Sequence, residues 1–331
     1  MNDLWPIWGL LRLLLQSLLP RQWHLVVCAG PEERSSAAAE VVAGSGVTVA
    51  SGNCLRLAVP KDRFSDEREK RIAASLARLE TAIPLKLKLT GMELFGTSEP
   101  LDEMVNEWVS SGRQHILLDI STMPKKIFFP LLRLILRTRA FATVIAIYSR
   151  PLRYAEQPLA EDPEPPLPLP LFRPEAAPPQ ATGGIVALGL EVLGIVDLLE
   201  DGGGPESIHV LFPIQSNPDE SNRTWTFMQR LRSASPKRFT PPRHLSPLDY
   251  GEAYSFIRTL TDDFQGHWWL APYGPKPVSL AMAVAAIQRD WPVYYSQPTI
   301  YNPAYSTGIG TEGREAAVYG YLLVSQGELR T

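Results

Sequence analysis

The chain has 331 residues, of which 45% are hydrophobic and 20% charged, so it can form two domains with substantial cores. This composition excludes wholesale disorder. Its 32 Lys and Arg residues against 35 Asp and Glu residues give a net charge of −3, which argues against a dedicated duplex-DNA-binding protein. Two cysteines cannot build a disulfide framework, and the 31 prolines are the unusual feature of the composition.

An apolar stretch over residues 4–19 predicts an amphipathic helix near the start of the sequence. It has no basic start, carries Arg12 and Gln16 inside the run, and is not followed by a small-residue cleavage site, which argues against a signal peptide. At roughly 16 residues it is shorter than the ~20 that a membrane span needs. We expect this helix to be buried or to face a partner, with membrane-surface attachment as the weaker alternative, in a cytoplasmic protein.

Strands alternate with helices along the rest of the chain, which indicates βαβ units and a mostly parallel sheet. The apolar runs 23–27, 116–118, 143–147 and 208–212 are typical of strands that helices cover on both faces. The fold class that we predict is therefore α/β.

A proline-rich segment, residues 156–182, divides the chain near its middle and predicts an extended connector. On this basis residues 1–155 form a Rossmann-like half that includes the N-terminal apolar helix, and residues 183–331 form a second Rossmann-like half. We expect the final strand, residues 316–324, to complete the second sheet.

The two sides of the connector repeat each other, which indicates an internal duplication. A strand ending at Asp119 leads into a turn with a Pro-Lys pair and an apolar helix, and a strand ending at Ala271 does the same. The motif Tyr-Ser-x-Pro-x-x-Tyr follows both helices, at residues 148–154 and 295–301. Asp119 has no acidic counterpart, so a catalytic site built on it would exist in one half only.

The repeated turns predict a phosphate-binding site, because ligands of open parallel sheets bind beyond the carboxyl ends of the strands. Ser121 or Thr122 can cap the helix that starts near Lys125, where backbone N–H groups and a lysine together form a phosphate cradle. Gly274 and Lys276 repeat this design in the second half. The alternative is that proline and lysine serve only to start the helices.

Each half also has an arginine in the turn after a predicted strand, and we match strand 23–28 with strand 208–213 on that basis. Arg34 and Arg223 can clamp phosphate in a bidentate manner. An ion pair of Arg34 with Glu32 or Glu33 is the alternative. Tyr154 and Tyr301 can stack on a base, or merely pack against the proline that precedes each of them in the repeated motif.

The sequence has no pattern that indicates a metal or a cofactor. Its five histidines lack metal-ligand spacing, and four of them begin predicted strands, where a structural role explains them better. No dinucleotide-binding fingerprint, P-loop or nucleophile elbow is present, which disfavours a dehydrogenase, a P-loop ATPase and an α/β-hydrolase. We expect neither a metal nor a cofactor.

The segments Asp119-Ile-Ser-Thr-Met-Pro-Lys125 and Gly274-Pro-Lys-Pro277 resemble the strand–turn–helix motif of CRISPR-associated Rossmann-fold (CARF) sensor domains. In that family the turn binds cyclic oligonucleotide second messengers across a two-fold interface, and the messenger controls an attached effector. The family's Gly-Thr before the lysine is Met-Pro here in one half and Gly-Pro in the other. The resemblance implies phosphate-facing roles for Ser121, Thr122, Lys125, Gly274 and Lys276.

These observations predict a nucleotide-sensing or scaffold protein, with prokaryotic defence as the setting that the resemblance implies. It would bind a nucleotide or another phosphate-bearing ligand in the pseudo-twofold cleft and act through a partner protein, since no effector domain is recognisable after the second half. The N-terminal apolar helix is the candidate docking element. One alternative is a nucleotide or nucleoside hydrolase or transferase, with Glu33 and Asp119 as its catalytic carboxylates. The other is a purely structural subunit.

Overall fold

The computed structural model describes residues 7–18, 22–83, 87–174, 181–191, 194–200, 205–234, 238–264 and 266–330, without the side chains of residues 197, 199, 200 and 234. The chain divides into a first unit, Met1–Ala160 with Ile300–Thr331, and a second unit, Glu161–Thr299. Residues 4–6 and 19 of the predicted N-terminal helix, and residues 175–180 of the predicted connector, lie outside the described residues.

Helices and strands alternate along the chain as far as β6. Up to the end of the predicted first half they are β1 (Ile7–Leu10), α1 (Leu11–Ser17), β2 (Gln22–Cys28), a 3-10 turn (Glu33–Ser35), α2 (Ala37–Gly44), β3 (Thr48–Ala58), α3 (Ser65–Ala82), β4 (Lys88–Glu93), α4 (Glu99–Ser110), β5 (His115–Asp119), α5 (Lys125–Thr138), β6 (Thr143–Ser149) and β7 (Pro151–Tyr154).

The remaining elements begin with three strands, alternate between helices and strands up to α9, and end with seven strands. They are β8 (Ala160–Pro163), β9 (Leu167–Pro168), β10 (Gly183–Ala187), α6 (Ile195–Glu200), β11 (Ser207–Pro213), α7 (Pro218–Ala234), β12 (Arg243–Leu245), α8 (Tyr250–Asp263), β13 (Trp268–Pro272), α9 (Lys276–Arg289), β14 (Tyr294–Tyr295), β15 (Pro298–Tyr301), β16 (Ser306–Ile309), β17 (Thr311–Glu312), β18 (Glu315–Ala316), β19 (Val318–Ser325) and β20 (Glu328–Leu329).

The first unit contains a mostly parallel sheet with the strand order β1-β19-β6-β5-β2-β3-β4. Strands β2 to β6 are parallel to one another, and taken in chain order they have the arrangement 3-2-1-4-5 of a doubly wound Rossmann sheet. The predicted α/β class is therefore confirmed. The core of this unit includes Trp23 and Leu25 of β2, which are almost completely buried.

The second unit has a parallel sheet with the strand order β12-β11-β10-β13. A parallel bridge between Leu270 and Val293 extends it at the position of a fifth strand, so its order is also 3-2-1-4-5. The first strand is β10, and matching strand 23–28 with strand 208–213 is therefore wrong. β10 could not be recognised in the sequence because its first two residues, Gly183 and Gly184, are not typical of a strand. The rings of Trp268 and Trp269 occupy the space that side chains at these two positions would need.

Helices α5 and α9 have matching lengths and ends. Each has 14 residues and follows a proline with extended backbone, Pro124 at φ −58° and ψ 151° and Pro275 at φ −54° and ψ 154°. Each ends at a residue in the left-handed conformation, Arg139 at φ 51° and Asp290 at φ 57°. The predicted starts of both helices at a Pro-Lys pair are confirmed, because proline fixes φ at a value that suits this position. The prediction that Ser121 or Thr122 caps the first of them is wrong, because Pro124 is the N-cap residue and no side chain caps α5.

The C-terminal strand β19 lies in the first sheet, antiparallel to β6 and β1. The prediction that the final strand completes the second sheet is wrong, and Ile300–Thr331 belongs to the first unit rather than to the second half. An almost entirely apolar strand fits any buried position in a sheet, so its own sequence does not identify its partners.

The N-terminal segment is a strand followed by a short helix. The prediction of one helix over residues 4–19 is wrong for β1, which pairs with β19. In α1, Leu11, Leu14 and Leu15 are buried in the core of the first unit, whereas Leu13 is 52% exposed. Among the described residues, no helix combines the length and the apolar character needed to cross a membrane.

The proline-rich segment contributes strands as well as loops. Within the second unit, β9 pairs antiparallel with β14, so that Leu167 lies opposite Tyr295 and Pro168 opposite Tyr294. The described part of residues 156–182 is thus partly a β-ladder, where an extended connector was predicted. Proline tolerates this position because β9 belongs to a two-stranded sheet rather than to the centre of a larger one.

Candidate functional site

The candidate site lies at the carboxyl ends of β2 and β5, which are neighbouring parallel strands of the first sheet. The strand order reverses here, and ligands of such sheets bind in the crevice outside this point. The turn after β2, residues 29–36, meets the turn after β5, residues 120–124. Gly30 allows the close approach, because a Cβ at this position would lie 3.0 Å from Cβ of Thr122.

A group of hydroxyls joins the two turns. Ser35 Oγ donates to the carbonyl of Cys28 at 2.9 Å and accepts from the N–H of Gly30 at 2.7 Å. Thr122 Oγ1 donates to the same carbonyl at 2.9 Å and lies 3.2 Å from Ser35 Oγ. Because Ser35 is completely buried, these polar contacts fix the position of one turn against the other.

Arg34 is buried beside these hydroxyls, with 4% of its surface exposed. Its Nε donates to Glu32 Oε2 at 3.0 Å, its Nη2 lies 2.9 Å from the same oxygen, and its Nη1 donates to the carbonyl of Ser149 at 3.1 Å. The guanidinium carbon is 5.7 Å from the centroid of the Tyr148 ring. Burial is the largest single influence and acts to lower the pKa of Arg34, but Glu32 and the neighbouring tyrosines together outweigh it, so the pKa is raised and the side chain is charged.

Glu32 connects this arginine to the C-terminal segment. Its Oε2 also accepts a hydrogen bond from Oγ of Ser306, the buried first residue of β16. β16 pairs antiparallel with β7, with Ser306 opposite Tyr154. One carboxylate oxygen therefore links the turn after β2 to a residue 274 positions later in the chain.

Asp119 and Ser121 hold the turn after β5. Asp119 Oδ1 accepts from the N–H of Ser121 at 2.9 Å and also from Ser121 Oγ. Ser121 Oγ in turn accepts from the N–H of Ser149 at the end of β6, at 2.7 Å. Asp119 is 1% exposed, so its carboxylate orients the turn from inside the core.

Ser149 is the point where these contacts meet. Its N–H bonds to Ser121 and its carbonyl accepts from Arg34, as described above. The residue is completely buried, and its Oγ has no hydrogen-bond partner among the described residues. A buried hydroxyl without a partner is costly, so this Oγ is a candidate contact for a water molecule or a ligand.

Three tyrosines border the same end of the sheet. The hydroxyls of Tyr148 and Tyr154 are 3.4 Å apart, and the rings of Tyr154 and Tyr305 meet edge to face at 5.7 Å. Burial raises the pKa of Tyr154 well above its ordinary value; the neighbouring tyrosine hydroxyls act in the same direction and Arg34 in the opposite one. Tyr154 thus contacts Tyr305, whereas base stacking and packing against Pro151 were the two predicted alternatives.

The other predicted residues of the first unit surround this cluster or lie apart from it. Lys125 is the first residue of α5 and is 7% exposed. Glu33 belongs to the same 3-10 turn as Arg34, but its side chain is exposed. Tyr301 ends β15 and is half-buried.

The predicted residues of the second unit have a different arrangement. Arg223 forms an ion pair with Glu191. It lies on α7, the helix after the second strand of its sheet, whereas Arg34 lies in the turn after the first strand. The predicted equivalence of Arg34 with Arg223 is therefore wrong. Gly274 packs closely against the end of β10, where a Cβ would lie 3.0 Å from that of Ala187, and Lys276 begins α9 half-buried.

The end of β13 nevertheless repeats two contacts of the first unit. Gly189, two residues after β10, occupies the position that Gly30 has after β2, and a Cβ there would overlap the carbonyl oxygen of Tyr273. The hydroxyl of Tyr273 accepts from the N–H of Ser296 at 3.2 Å, as Ser121 accepts from Ser149.

Sequence reasoning did not find the contributions of Ser149, Ser306 and Tyr305. The Tyr-Ser-x-Pro-x-x-Tyr motif contained Ser149 and was the available signal for it. No signal could have found Ser306 and Tyr305, because the C-terminal segment was assigned to the other half.

Among the described residues, no group of three or more His, Cys, Asp or Glu side chains is placed to hold a metal ion. No protein-family model matches the chain, and no curated protein sequence matches it. What the chain does must therefore be argued from the site itself.

Proposed function

We propose that the chain is a nucleotide-sensing or scaffold protein that binds a phosphate-bearing ligand at the carboxyl edge of its first sheet. The observation that carries this proposal is Arg34, a charged guanidinium buried where the strand order reverses. Its planar fork matches the oxygens of a phosphate better than any other side chain does. Ser149, whose carbonyl accepts from Arg34, supplies a further polar group, an Oγ that has no partner among the described residues.

The start of α5 supports the choice of an anionic ligand. Ser121 and Thr122 are fixed in the turn that precedes this helix, and Lys125 begins it. The first N–H groups of a helix point out of its end and, with the macrodipole, attract negative charge. Lys125 adds a full positive charge at the same end.

The two carboxylates considered for catalysis support binding rather than turnover. Asp119 is 1% exposed and its Oδ1 holds the N–H and the hydroxyl of Ser121, which is a positioning role. Glu33 is exposed to solvent, whereas Arg34 beside it is buried. We therefore propose a sensor rather than a nucleotide hydrolase or transferase.

We also infer that the two units arose by internal duplication and that the first unit alone kept the ligand site. The shared strand order, the matched ends of α5 and α9, and the glycines after β2 and β10 support the duplication. At the end of β13, however, Ala271 and Tyr273 take the places of Asp119 and Ser121.

The resemblance to CARF sensor domains adds a setting to this proposal. It implies a nucleotide messenger, a partner protein that acts as effector, and a place in prokaryotic defence within the cytoplasm. Leu13, exposed on α1, is the residue through which the N-terminal segment would contact such a partner. These elements rest on the resemblance, whereas ligand binding rests on Arg34.

The proposal is tested by nucleotide binding to the purified chain. Mass spectrometry of small molecules released on denaturation, and thermal unfolding with a panel of linear and cyclic nucleotides, will identify a ligand. We expect at least one nucleotide to raise the unfolding temperature, because ligands that bind the folded state stabilise it. No released nucleotide and no shift with any member of the panel would refute the proposal.

A matched pair of lysines locates the site. Lys125→Gln removes the charge at the start of α5, and we expect it to weaken nucleotide binding about tenfold, as loss of one charge-assisted hydrogen bond does. Lys126→Gln makes the same change one residue later, where the ammonium lies 4.5 Å over the Phe95 ring. We expect Lys126→Gln to bind as the unaltered chain does; equal weakening by both variants would contradict a site at this helix start.

A further inference from the structure

Three donors surround a single oxygen in the turn after β2. Glu32 Oε2 receives Arg34 Nε at 3.0 Å and Arg34 Nη2 at 2.9 Å, and it also accepts from Ser306 Oγ. A cup of two guanidinium nitrogens and one hydroxyl is the environment that a phosphate oxygen requires. The carboxylate of Glu32 meets the same requirement from inside the chain.

We propose that Glu32 is an internal counter-ion that keeps the Arg34 cup closed, and that a phosphate group of the ligand takes its place on Arg34 when it binds. This inference rests on the proposed function and adds how the site is regulated. The binding group is a phosphate oxygen, and the group that it replaces is the Oε2 of Glu32.

The surroundings of the two partners favour the exchange. Arg34 is 4% exposed and is anchored by a second contact, from Nη1 to the carbonyl of Ser149. The Glu32 side chain is 12% exposed and precedes the 3-10 turn with extended backbone. Glu32 can therefore turn towards solvent while Arg34 stays in position.

Electrostatics makes phosphate a suitable replacement. A buried arginine without a counter-ion is strongly unfavourable, so Glu32 cannot simply leave. A phosphate that arrives as Glu32 departs keeps the guanidinium paired throughout. It also carries more charge than a carboxylate and offers several acceptor oxygens. Ser149, whose carbonyl accepts from Arg34, has an Oγ without a partner among the described residues. The exchange thus adds contacts that the carboxylate does not make.

The exchange connects ligand binding to the C-terminal segment. Ser306, which donates to Glu32 in the closed cup, begins β16 and lies opposite Tyr154 of β7. Tyr305, the residue before it, contacts the Tyr154 ring. When Glu32 moves, Ser306 loses this acceptor, so we expect β16 to loosen from β7. This is the change by which the first unit would report the ligand.

The test compares two carboxylates that are adjacent in the chain. Glu32→Gln removes the counter-ion charge, and we expect inorganic pyrophosphate to bind this variant about tenfold more tightly than the unaltered chain, by calorimetry. Glu33→Gln makes the same change in net charge at an exposed position. We expect its affinity for pyrophosphate to stay within about twofold of the unaltered chain. This comparison separates release of Arg34 from a general change in electrostatic potential.

Two outcomes would overturn the inference. One is that Glu32→Gln binds pyrophosphate no more tightly than Glu33→Gln, which includes the case in which neither variant binds it. The second outcome is measured on the unaltered chain, so it can be tested even if Glu32→Gln does not fold. It is amide hydrogen exchange in Ser306–Ile309 that is no faster with saturating pyrophosphate than without it. Failure of the proposed function would instead be seen as no response of the unaltered chain to any nucleotide.

Discussion

His24 leads to a stability prediction that can be worked out from its surroundings. It lies on β2, is 4% exposed, and its ring is 4.8 Å from that of Trp108. Nε2 is 3.0 Å from the acceptor Asn53 Oδ1, and Nδ1 is 2.7 Å from Ser51 Oγ, an arrangement that satisfies both nitrogens of a neutral imidazole. Burial lowers the pKa of His24 from 6.5 to about 4, and the hydrogen bond to Asn53 offsets only part of this effect.

The sign and size of the effect follow from proton linkage. Because the folded state keeps His24 neutral, the unfolded chain binds one more proton between pH 4 and 6.5. The stabilising contribution is therefore complete above pH 6.5 and is lost as the pH falls towards 4. The difference between the two pKa values corresponds to ~3 kcal/mol of unfolding free energy, of which ~2 kcal/mol is already lost at pH 5.

Urea unfolding at pH 7.5 and pH 5, followed by tryptophan fluorescence, measures this loss. His24→Gln removes the titrating group, so we expect the variant to lose ~2 kcal/mol less than the unaltered chain between these pH values. His267→Gln, at an exposed position, is the control and should retain the full pH dependence. Equal pH dependence in His24→Gln and the unaltered chain would refute the reasoning, as would an NMR titration of this ring with a midpoint near 6.5.

Four further substitutions test the packing around the two sheets by urea unfolding. Gly189→Ala would bring a Cβ against a backbone carbonyl, and we expect a loss of ~2 kcal/mol; unchanged stability would contradict the close approach of the two turns. Leu15→Ala empties a buried position of α1 and should cost ~3 kcal/mol, whereas the 52% exposed Leu13 should tolerate alanine within ~0.5 kcal/mol. Equal costs would argue against the buried inner face of α1. Ser121→Ala removes the acceptor for the N–H of Ser149 and should cost ~1–3 kcal/mol; a stability gain would contradict this role.

Features that depend on neighbouring residues could be predicted from the sequence. The Pro-Lys pairs at Lys125 and Lys276 start helices because proline restricts its own φ and suits a helix start. The strand that ends at Asp119 was predicted from its apolar residues, which helices cover on both sides. These local rules were enough to establish the α/β class.

Features that depend on pairing between distant segments could not be predicted in this way. β19 has a sequence that suits either sheet, and only its ladder with β6 and β1 assigns it to the first. β10 was not predicted because it begins with two glycines, which leave room for the rings of the two tryptophans of β13. Matching the halves by their arginines then produced a wrong equivalence, since Arg34 and Arg223 follow different strands.

The candidate site also has a part that local sequence patterns predict and a part that depends on distant residues. Arg34 could be proposed from its place after a strand, and the alternative of an ion pair with Glu32 was also foreseen. In the structure the pair is buried and shared with Ser306, a residue that no local pattern connects to it. In our proposal the ion pair is part of phosphate binding rather than an alternative to it, because the carboxylate that neutralises Arg34 is the group that the ligand replaces.

The most direct test of a phosphate site in the first unit is a hydrogen-exchange footprint of the nucleotide that gives the largest thermal shift. We predict slower amide exchange in residues 29–36 and 120–124, the two turns that meet at Gly30 and Thr122. Protection confined to the second unit, or none in these two turns at saturating nucleotide, would contradict the account.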